Sequence, residues 1–332
     1  TIGKRVAEAV VEQDDMSLRG VSDHRINYVL RTLLGEGGSL EGVDLYASDD
    51  GALEEMGRQA FEPEVEGTLE DLTDEVDVVV DSTPAGVDAE NKSQIYEPND
   101  TRAVFQGGAD ADISRVSFNA NVNYEDARDE DFVRVVSCNT TSLLRTVGAV
   151  DRRFGVETAT ASLVRRGGDP PQDSRGPINS VVPADVPSHH ADDFNEVLPG
   201  IDLTTLAVKV PSTLGHVHMV DIEVDDDVTE DDVLAVFDDE PRIKTESLGH
   251  GYGSTARITE RMRDLGRPRY DSPEVRVWEE TVRVDEGSVY WINMVHQESI
   301  VIPDNIDAIR SLLGLADRQE SVSMTDDSMG IS

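Results

Sequence analysis

The chain has 332 residues, enough for two domains that each bury a core of ordinary size. Its formal net charge is -39, from 29 Lys and Arg against 68 Asp and Glu, which leaves no basic footprint for a phosphate backbone and excludes direct nucleic-acid binding. Hydrophobic content of 38% argues against disorder, and no run of about 18 apolar residues is present, so no membrane span is expected. Only Lys4, Lys92, Lys209 and Lys244 are lysines, and the acids are spread along the whole chain, as in Asp225-Asp226-Asp227 and Glu230-Asp231-Asp232. A dispersed acidic surface of this kind suits multimolar salt, where screening weakens its self-repulsion. An acidic mimic of nucleic acid would instead concentrate its carboxylates on one face. The single cysteine, Cys138, cannot form an internal disulfide, so a reducing cytoplasm is the expected compartment.

In chain order, Thr1-Ile2-Gly3-Lys4-Arg5-Val6 reads as a turn entering a helix, with Ile2, Val6, Ala9 and Val10 on one face. A chain opening in a turn without a preceding strand is expected to be N-terminally truncated. Leu18 to Val21 reads as a strand, followed by a polar, glycine-rich region through Gly38. Val76 to Val80 is a β-branched run typical of a strand buried in a parallel sheet. The loop Asp81-Ser82-Thr83-Pro84-Ala85-Gly86 ends it. Ala103-Val104-Phe105 is a further strand, closing on Gln106-Gly107-Gly108. Phe132, Val133, Val135 and Val136 lead as a strand into Ser137-Cys138. Leu143, Leu144, Val147 and Val150 then share a helix face, with Asn139, Thr140 and Thr141 as N-cap candidates. A thiol at such a helix start is expected to have a lowered pKa.

After this helix the texture changes. Ala161 to Arg166 reads as a strand ending in two arginines. A long Gly/Pro-rich passage from Gly167 to Pro187 leads to Ser188-His189-His190, and loops of that length are usually functional. Thr205 to Val210 and Val217 to Val224 read as strands, with Pro211 to His216 between them. A helix is expected from Thr229 through Phe237, with Asp232 completing a capping box. Val275 to Trp278, Thr281 to Val284 and Val289 to Val295 read as three more strands, and Ile306, Ile309, Leu312 and Leu313 mark a closing amphipathic helix. Alternating strands and helices point to an open doubly wound sheet in the first part, and successive long strands to a mostly antiparallel sheet in the second.

Four groups have chemical potential: Cys138, the pair Arg165-Arg166, His189-His190, and His216 with His218. A nucleophilic cysteine needs a base, which a histidine can supply, and paired arginines suit an anionic phosphate. The bland alternative makes the arginines salt-bridge partners and sends His216 and His218 to opposite faces of a strand. Zinc is not expected, since one thiol without CxxC or HExxH spacing does not make a site. No Walker-type phosphate loop is present.

The segments Val135-Val136-Ser137-Cys138-Asn139-Thr140-Thr141, Leu163-Val164-Arg165-Arg166, Gly176-Pro177-Ile178-Asn179, Pro187-Ser188-His189-His190 and Val295-His296-Gln297-Glu298-Ser299 occur in this order. Together they resemble the archaeal (type II) phosphorylating glyceraldehyde-3-phosphate dehydrogenases. With the Thr1 to Arg5 turn and the Phe105-Gln106-Gly107-Gly108 loop, the likeness runs from Thr1 to Ile331. The resemblance implies a Rossmann-type doubly wound nucleotide-binding domain over residues 1–137, lacking its first strand. It implies an α+β catalytic domain with a mostly antiparallel sheet over 138–300, and a C-terminal helix over 301–332 that returns to the first domain.

It further implies that Cys138 attacks D-glyceraldehyde 3-phosphate. His216, the first histidine of Thr213-Leu214-Gly215-His216-Val217-His218, would be the general base. Hydride would pass to NAD or NADP, and inorganic phosphate would release 1,3-bisphosphoglycerate, in glycolysis or gluconeogenesis. Thr1, Ile2, Gly3, Gly107, Gly108, Arg166 and Gln297 match cofactor-contacting positions. Ser137, Asn139, Thr140, Thr141, Arg166, His189 and His190 match positions around the substrate and its phosphates. A homotetramer in a salt-adapted, haloarchaeal-like source is implied, with no resident metal. The sequence departs from the family at Ser22-Asp23-His24-Arg25-Ile26-Asn27, where a basic segment is usual. Asp23 there suits a ribose hydroxyl and NAD, while Arg25 suits a 2′-phosphate and NADP. Ser142 and Leu144 also replace the usual glycine and second cysteine. Alternatives on the same fold are another phosphorylating semialdehyde dehydrogenase and a non-catalytic thiol-sensing or binding protein.

Overall fold

The computed structural model describes residues 2–106, 108–167, 179–225 and 227–331. The chain divides into two compact units. Thr1–Phe118, Tyr124–Val135 and Ile302–Gly330 form the first, and Asn119–Asn123, Val136–Val301 and Ile331–Ser332 the second.

The first unit pairs its short strands in parallel throughout. β1 (Gly20–Asp23), β2 (Asp44–Ala47) and β3 (Val65–Thr68) run in that order. β4 (Val78–Asp81), β5 (Arg102–Phe105), β6 (Val116–Phe118) and β7 (Phe132–Val135) form a second sheet in the order β4-β5-β7-β6. Parallel strands need crossover connections, and those here carry helices, which gives the expected doubly wound arrangement. Two strands begin later than their apolar runs, because Leu18 and Val76 pack against the core instead of joining a ladder. The glycine-rich region holds a helix that the pattern does not announce, Tyr28–Leu34. Asn27 caps it, its side-chain oxygen accepting from the N–H groups of Val29 and Leu30.

The helix Ile302–Leu313 also belongs to the first unit and is buried along nearly its whole length. Arg310 on it donates to both oxygens of Asp15 at 2.8 and 2.7 Å, to Gln13 Oε1 and to Thr325 Oγ1. Asp307 accepts from the hydroxyls of Ser321 and Thr325, both at 2.7 Å. A last helix, Arg318–Met329, is thus gripped by its hydroxyls. It has little apolar periodicity, which is why the sequence does not reveal it.

The second unit is one mixed sheet covered by helices. Its strands are β8 (Val156–Arg166), β9 (Val182–Pro183), β10 (Asp202–Val210), β11 (His216–Val224), β12 (Ile243–Glu246), β13 (Val275–Trp278), β14 (Arg283–Asp285) and β15 (Ser288–Val295). They run in the order β12-β13-β15-β11-β8-β10-β9, with β14 on β15. Only β8 with β10 and β12 with β13 pair in parallel, so the sheet is mostly antiparallel, as expected. The strand expected at Thr281 to Val284 is a turn, Glu279–Thr281, followed by β14. Thr229 caps the helix Glu230–Asp239 in a capping box with Asp232. Across one face lies the helix Cys138–Phe154, in which residues 139–150 are all buried. No helix among the described residues is long and apolar enough to cross a membrane.

Candidate active site

β7 ends at Val135, and two residues later the chain turns into a 17-residue helix whose first residue is Cys138. The N-cap is Ser137, in place of the three residues that follow the cysteine. Its backbone is extended, its oxygen accepts from Thr140 N at 3.4 Å, and its carbonyl accepts from Thr141 N at 2.8 Å. The cap comes earlier because the apolar run stops at Val136, so the first residue beyond the sheet already terminates the extended chain. Deep in the same helix, Arg145 donates to the carbonyls of Pro273 and Ile300 at 2.7 and 2.9 Å. These bonds fix the helix, and hence the thiol, over the sheet.

The Cys138 sulfur lies 3.5 Å from His216 Nε2. His216 Nδ1 accepts the backbone N–H of Arg166 at 3.0 Å. An imidazole nitrogen that accepts carries no proton, so the neutral ring holds its proton on Nε2 and presents it to the sulfur. Burial holds His216 neutral, well below the usual histidine range, and the neighbouring His218, Arg166 and Arg165 add to the effect. The thiol does not show the lowered pKa expected at a helix start. Its side chain is half-buried, and burial pushes the thiol up to about 11 against the pull of Arg165 and Arg166. Desolvation outweighs the helix dipole, whose reach is short and whose magnitude is modest.

His216 and His218 do not point to opposite faces. Residues two apart on a strand share a face, and both are buried beneath the Cys138 helix. His218 Nε2 donates to Asn139 Oδ1 at 2.9 Å. The Asn139 amide nitrogen then donates to His190 Nε2 at 3.3 Å, leaving the His190 proton on Nδ1, 3.3 Å from Ser137 Oγ. One amide therefore sets the tautomers of two rings and returns to the cap of the turn that carries the thiol. Burial pushes His190 down to about 2, with His189 and Arg165 adding to it, and His218 down to about 3, with Arg165 adding. The rings of His189 and His190 stack at 4.0 Å. Thr140 Oγ1 lies 3.0 Å from Ser137 Oγ, and the Thr141 hydroxyl donates to Val136 O at 3.5 Å.

Arg166 is engaged on every side. It pairs with Glu298 at 2.5 Å, donates through Nε to Gln297 Oε1 at 2.7 Å, and donates through Nη1 to Thr213 O at 3.2 Å. Glu298 lies in the segment Val295-His296-Gln297-Glu298-Ser299, whose pattern alone gives it no role. Its function as the counter-charge of a strand-end arginine emerges only from the pairing of β11 with β15.

Residues 137–256 match the family described as glyceraldehyde 3-phosphate dehydrogenase, C-terminal domain. The chain is 44% identical to a protein of Methanopyrus kandleri named glyceraldehyde-3-phosphate dehydrogenase, over 100% of this chain and 95% of that one. It is 46% identical to the protein of that name from Metallosphaera sedula, over 100% and 95%. The chain belongs to the glyceraldehyde-3-phosphate dehydrogenase family. The dehydrogenase of the same name from Halobacterium salinarum is 42% identical, over 100% of this chain and 97% of that one. Among solved structures, aspartate semialdehyde dehydrogenase II from Vibrio cholerae superposes with a TM-score of 0.63 at 13% identity. That match covers 87% of this chain and 95% of the other, and bears on the fold alone.

For a glyceraldehyde-3-phosphate dehydrogenase, the expected residues of the second unit are gathered around the thiol. Ser137, Asn139, His190 and His216 are tied to it through the contacts above, Thr140 and Thr141 line its helix turn, and Arg166 and Gln297 bond to each other. Ile2, Gly3 and Gly108 lie in the first unit, while Thr1, Gly107 and the 176–178 part of the Gly-Pro-Ile-Asn segment fall outside the described residues. A dinucleotide fits what the first unit offers. The ten-residue helix Ile2–Val11 begins beside the loop that follows β4, and a Cβ on Gly3 would meet Ser82 Oγ at 2.5 Å. Gly108 follows β5 with φ +110° and open space where a Cβ would stand. Such a helix N-terminus with small residues at the carboxyl ends of parallel strands is what a pyrophosphate requires.

Proposed function

We propose that this chain is a phosphorylating glyceraldehyde-3-phosphate dehydrogenase, oxidising glyceraldehyde 3-phosphate to an acyl phosphate with NAD or NADP. The 3.5 Å approach of Cys138 to His216 at a helix start carries the reading. The Cys138 thiolate adds to the aldehyde carbon, and the Nε2–H of His216 donates first to the sulfur and then to the alkoxide formed. In this tautomer His216 acts as a donor toward developing negative charge. The general-base role implied by the family resemblance would require the ring to release the Arg166 N–H. A nicotinamide cofactor, when bound, supplies the hydride acceptor, and Ile2, Gly3 and Gly108 of the first unit would hold its pyrophosphate. Inorganic phosphate attacks the resulting Cys138 thioester, His216 again steadies the alkoxide, and the thiolate leaves. One proton is released in each turnover; it comes from the attacking hydrogen phosphate, and the Cys138 thiolate is regenerated.

The test is phosphate-dependent reduction of NAD or NADP with glyceraldehyde 3-phosphate in molar KCl. Cys138→Ala should abolish turnover, and full activity in that variant would end the proposal. Comparing KM for the two cofactors reads the balance between Asp23 at the end of β1 and Arg25 beyond it. We further propose that the protein is a cytoplasmic homotetramer adapted to high salt. Dialysis into low salt should cost circular-dichroism signal, and light scattering in molar KCl should return four times the chain mass.

A further inference from the structure

Metal ligands also come together at spacings other than CxxC and HExxH. His189, His190 and Asp193 fall within five residues at the start of the helix His190–Val197. His189 caps that helix with its own backbone already helical, at φ -51° and ψ -16°, and its carbonyl accepts the Asp193 N–H at 3.1 Å. The helical spacing therefore reaches back to His189. It sets Asp193 four residues from one histidine and three from the other, the separations at which side chains meet on a helix surface. One ligand atom from each of the three lies within 4.8 Å of the others, and the two imidazole rings stand 4.0 Å apart.

Two imidazoles and one carboxylate suit a borderline divalent ion such as Ni²⁺ or Zn²⁺, and not the oxygen-seeking Mg²⁺ or Ca²⁺. Metal–ligand bonds near 2.1 Å put neighbouring ligand atoms roughly 3.0–3.4 Å apart, so an arriving ion has to draw the three closer. Exposed His189 and half-buried Asp193 form the open side, and buried His190 the inner wall. Burial keeps His190 neutral, so no proton has to leave its ring first. Arg165, whose charge also acts on His190, opposes a cation there, and the Asp193 carboxylate offsets it. That balance suits reversible occupancy over a resident ion.

The His190 ring is the contested part. A neutral imidazole has a single nitrogen lone pair to give, and that of His190 Nε2 accepts from Asn139 Nδ2 at 3.3 Å. An ion on Nε2 displaces the Asn139 N–H. An ion on Nδ1 moves the proton to Nε2, against the Asn139 donor, and ends the 3.3 Å contact with Ser137 Oγ. Either way the chain from His218 through Asn139 to His190 breaks beside the turn that carries the thiol.

We propose that His189, His190 and Asp193 form an inhibitory site for a divalent transition-metal ion, which competes with Asn139 for the His190 lone pair. The inhibition rests on the reading given under Proposed function, and the binding does not.

The probe is Ni²⁺, titrated by calorimetry into the untagged full chain with excess Mg²⁺ present to fill surface carboxylates. Cys138→Ala is used first, so that the thiol is no rival ligand. One Ni²⁺ per chain is expected, and adding Asp193→Asn should weaken it about ten- to a hundredfold. In the active enzyme Ni²⁺ should lower the rate, and EDTA should restore it. Asp193→Asn alone should keep kcat within about twofold in metal-free buffer, yet need about ten to a hundred times more Ni²⁺ for half inhibition. Equal Ni²⁺ affinity with and without the Asp193 carboxylate would overturn the proposal. So would binding to the wild type that vanishes in Cys138→Ala, since the thiol would then be the ligand. Asp193-dependent binding without any loss of rate would overturn the competition with Asn139. Should the wild-type chain prove inactive toward glyceraldehyde 3-phosphate, the function falls while Asp193-dependent binding still upholds the site. Full activity with no such binding would sink the site alone.

Discussion

Two buried polar clusters in the second unit handle charge in opposite ways. Around Glu246 and Glu274 every charge is matched. Arg267 clamps Glu274 through two bonds of 2.7 and 2.6 Å, and Arg276 bridges Glu274 to Glu246 at 3.0 and 2.7 Å. Arg261 adds a second guanidinium on Glu246 at 2.9 Å. Burial works to raise the Glu274 carboxyl, yet Arg267 and Arg276 hold it down at about 2. Around Cys138 the matched pair is Arg166 with Glu298, and the groups nearest the sulfur are kept neutral instead. Three histidines are held neutral, a thiol is held protonated, and among the described residues Arg165 has no carboxylate partner. The first cluster is a closed network whose purpose is met within the fold. The second is held short of balance, as expected where the missing charge arrives with a ligand.

Perturbing the two clusters should therefore separate rate from stability. The largest effect is expected at His216. His216→Ala should lower kcat about 10²- to 10⁴-fold, with little change in melting temperature. His216→Gln, which can donate but cannot accept a proton onto nitrogen, should recover part of that loss in steady-state kinetics. No recovery would favour the general-base role. Glu246→Ala should do the reverse, because it takes the carboxylate from Arg261 and one of two from the buried Arg276. A cost of about 3–5 kcal/mol, read by denaturant unfolding in molar salt, should come with near-normal kcat among the molecules that remain folded. Equal losses of rate in both variants would erase the distinction between the clusters.

Smaller in scale is Asn139→Asp. The carboxylate still accepts from His218 but no longer donates to His190, so an imidazole that resists protonation now faces a negative charge. A loss of about tenfold in kcat/KM is expected, with a new dependence on pH on the acid side as His190 begins to titrate. The smallest effect concerns the histidines in the intact protein. His190 at about 2 and His218 at about 3 lie below the ordinary 6.5. On unfolding these rings take up protons that the folded chain refuses, so their contribution is complete above about pH 6.5 and is lost as pH falls toward 3. Thermal melts from pH 7 to 4 should decline, and His218→Gln should flatten the decline.

Much of the site is legible in the sequence because it is local. A β-run, a lone cysteine and a helical spacing lie within twenty residues, and together they place Cys138 at a strand-to-helix turn. What stays hidden depends on pairing. That Glu298 neutralises Arg166 cannot be read from two adjacent arginines, since it follows from β11 pairing with β8 on one side and β15 on the other. The pKa of the thiol is hidden for a similar reason. The helix start is visible in the pattern, but the burial that outweighs it is a product of the fold, as are the opposing charges of Arg165 and Glu298, which act on the thiol from 27 and 160 positions away. In the first unit the strands announce themselves through Val78–Asp81 and Arg102–Phe105, whereas the helix Arg318–Met329 does not, because hydroxyls and not an apolar stripe hold it in place.

The burial of Ile302–Leu313 within the first unit has a consequence for biosynthesis. The central helix of that unit, with Arg310 fastened to Gln13 and Asp15, emerges from the ribosome almost 300 residues after the segment it grips. The segment Val136–Val301 is complete before it, so the later-numbered unit can mature first on the nascent chain. The parallel sheets of the first unit must wait, with Tyr124, Gln106 and Arg102 lacking their partners on that helix. A released chain truncated after residue 301 should therefore resist protease across the second unit and be cut readily in the first.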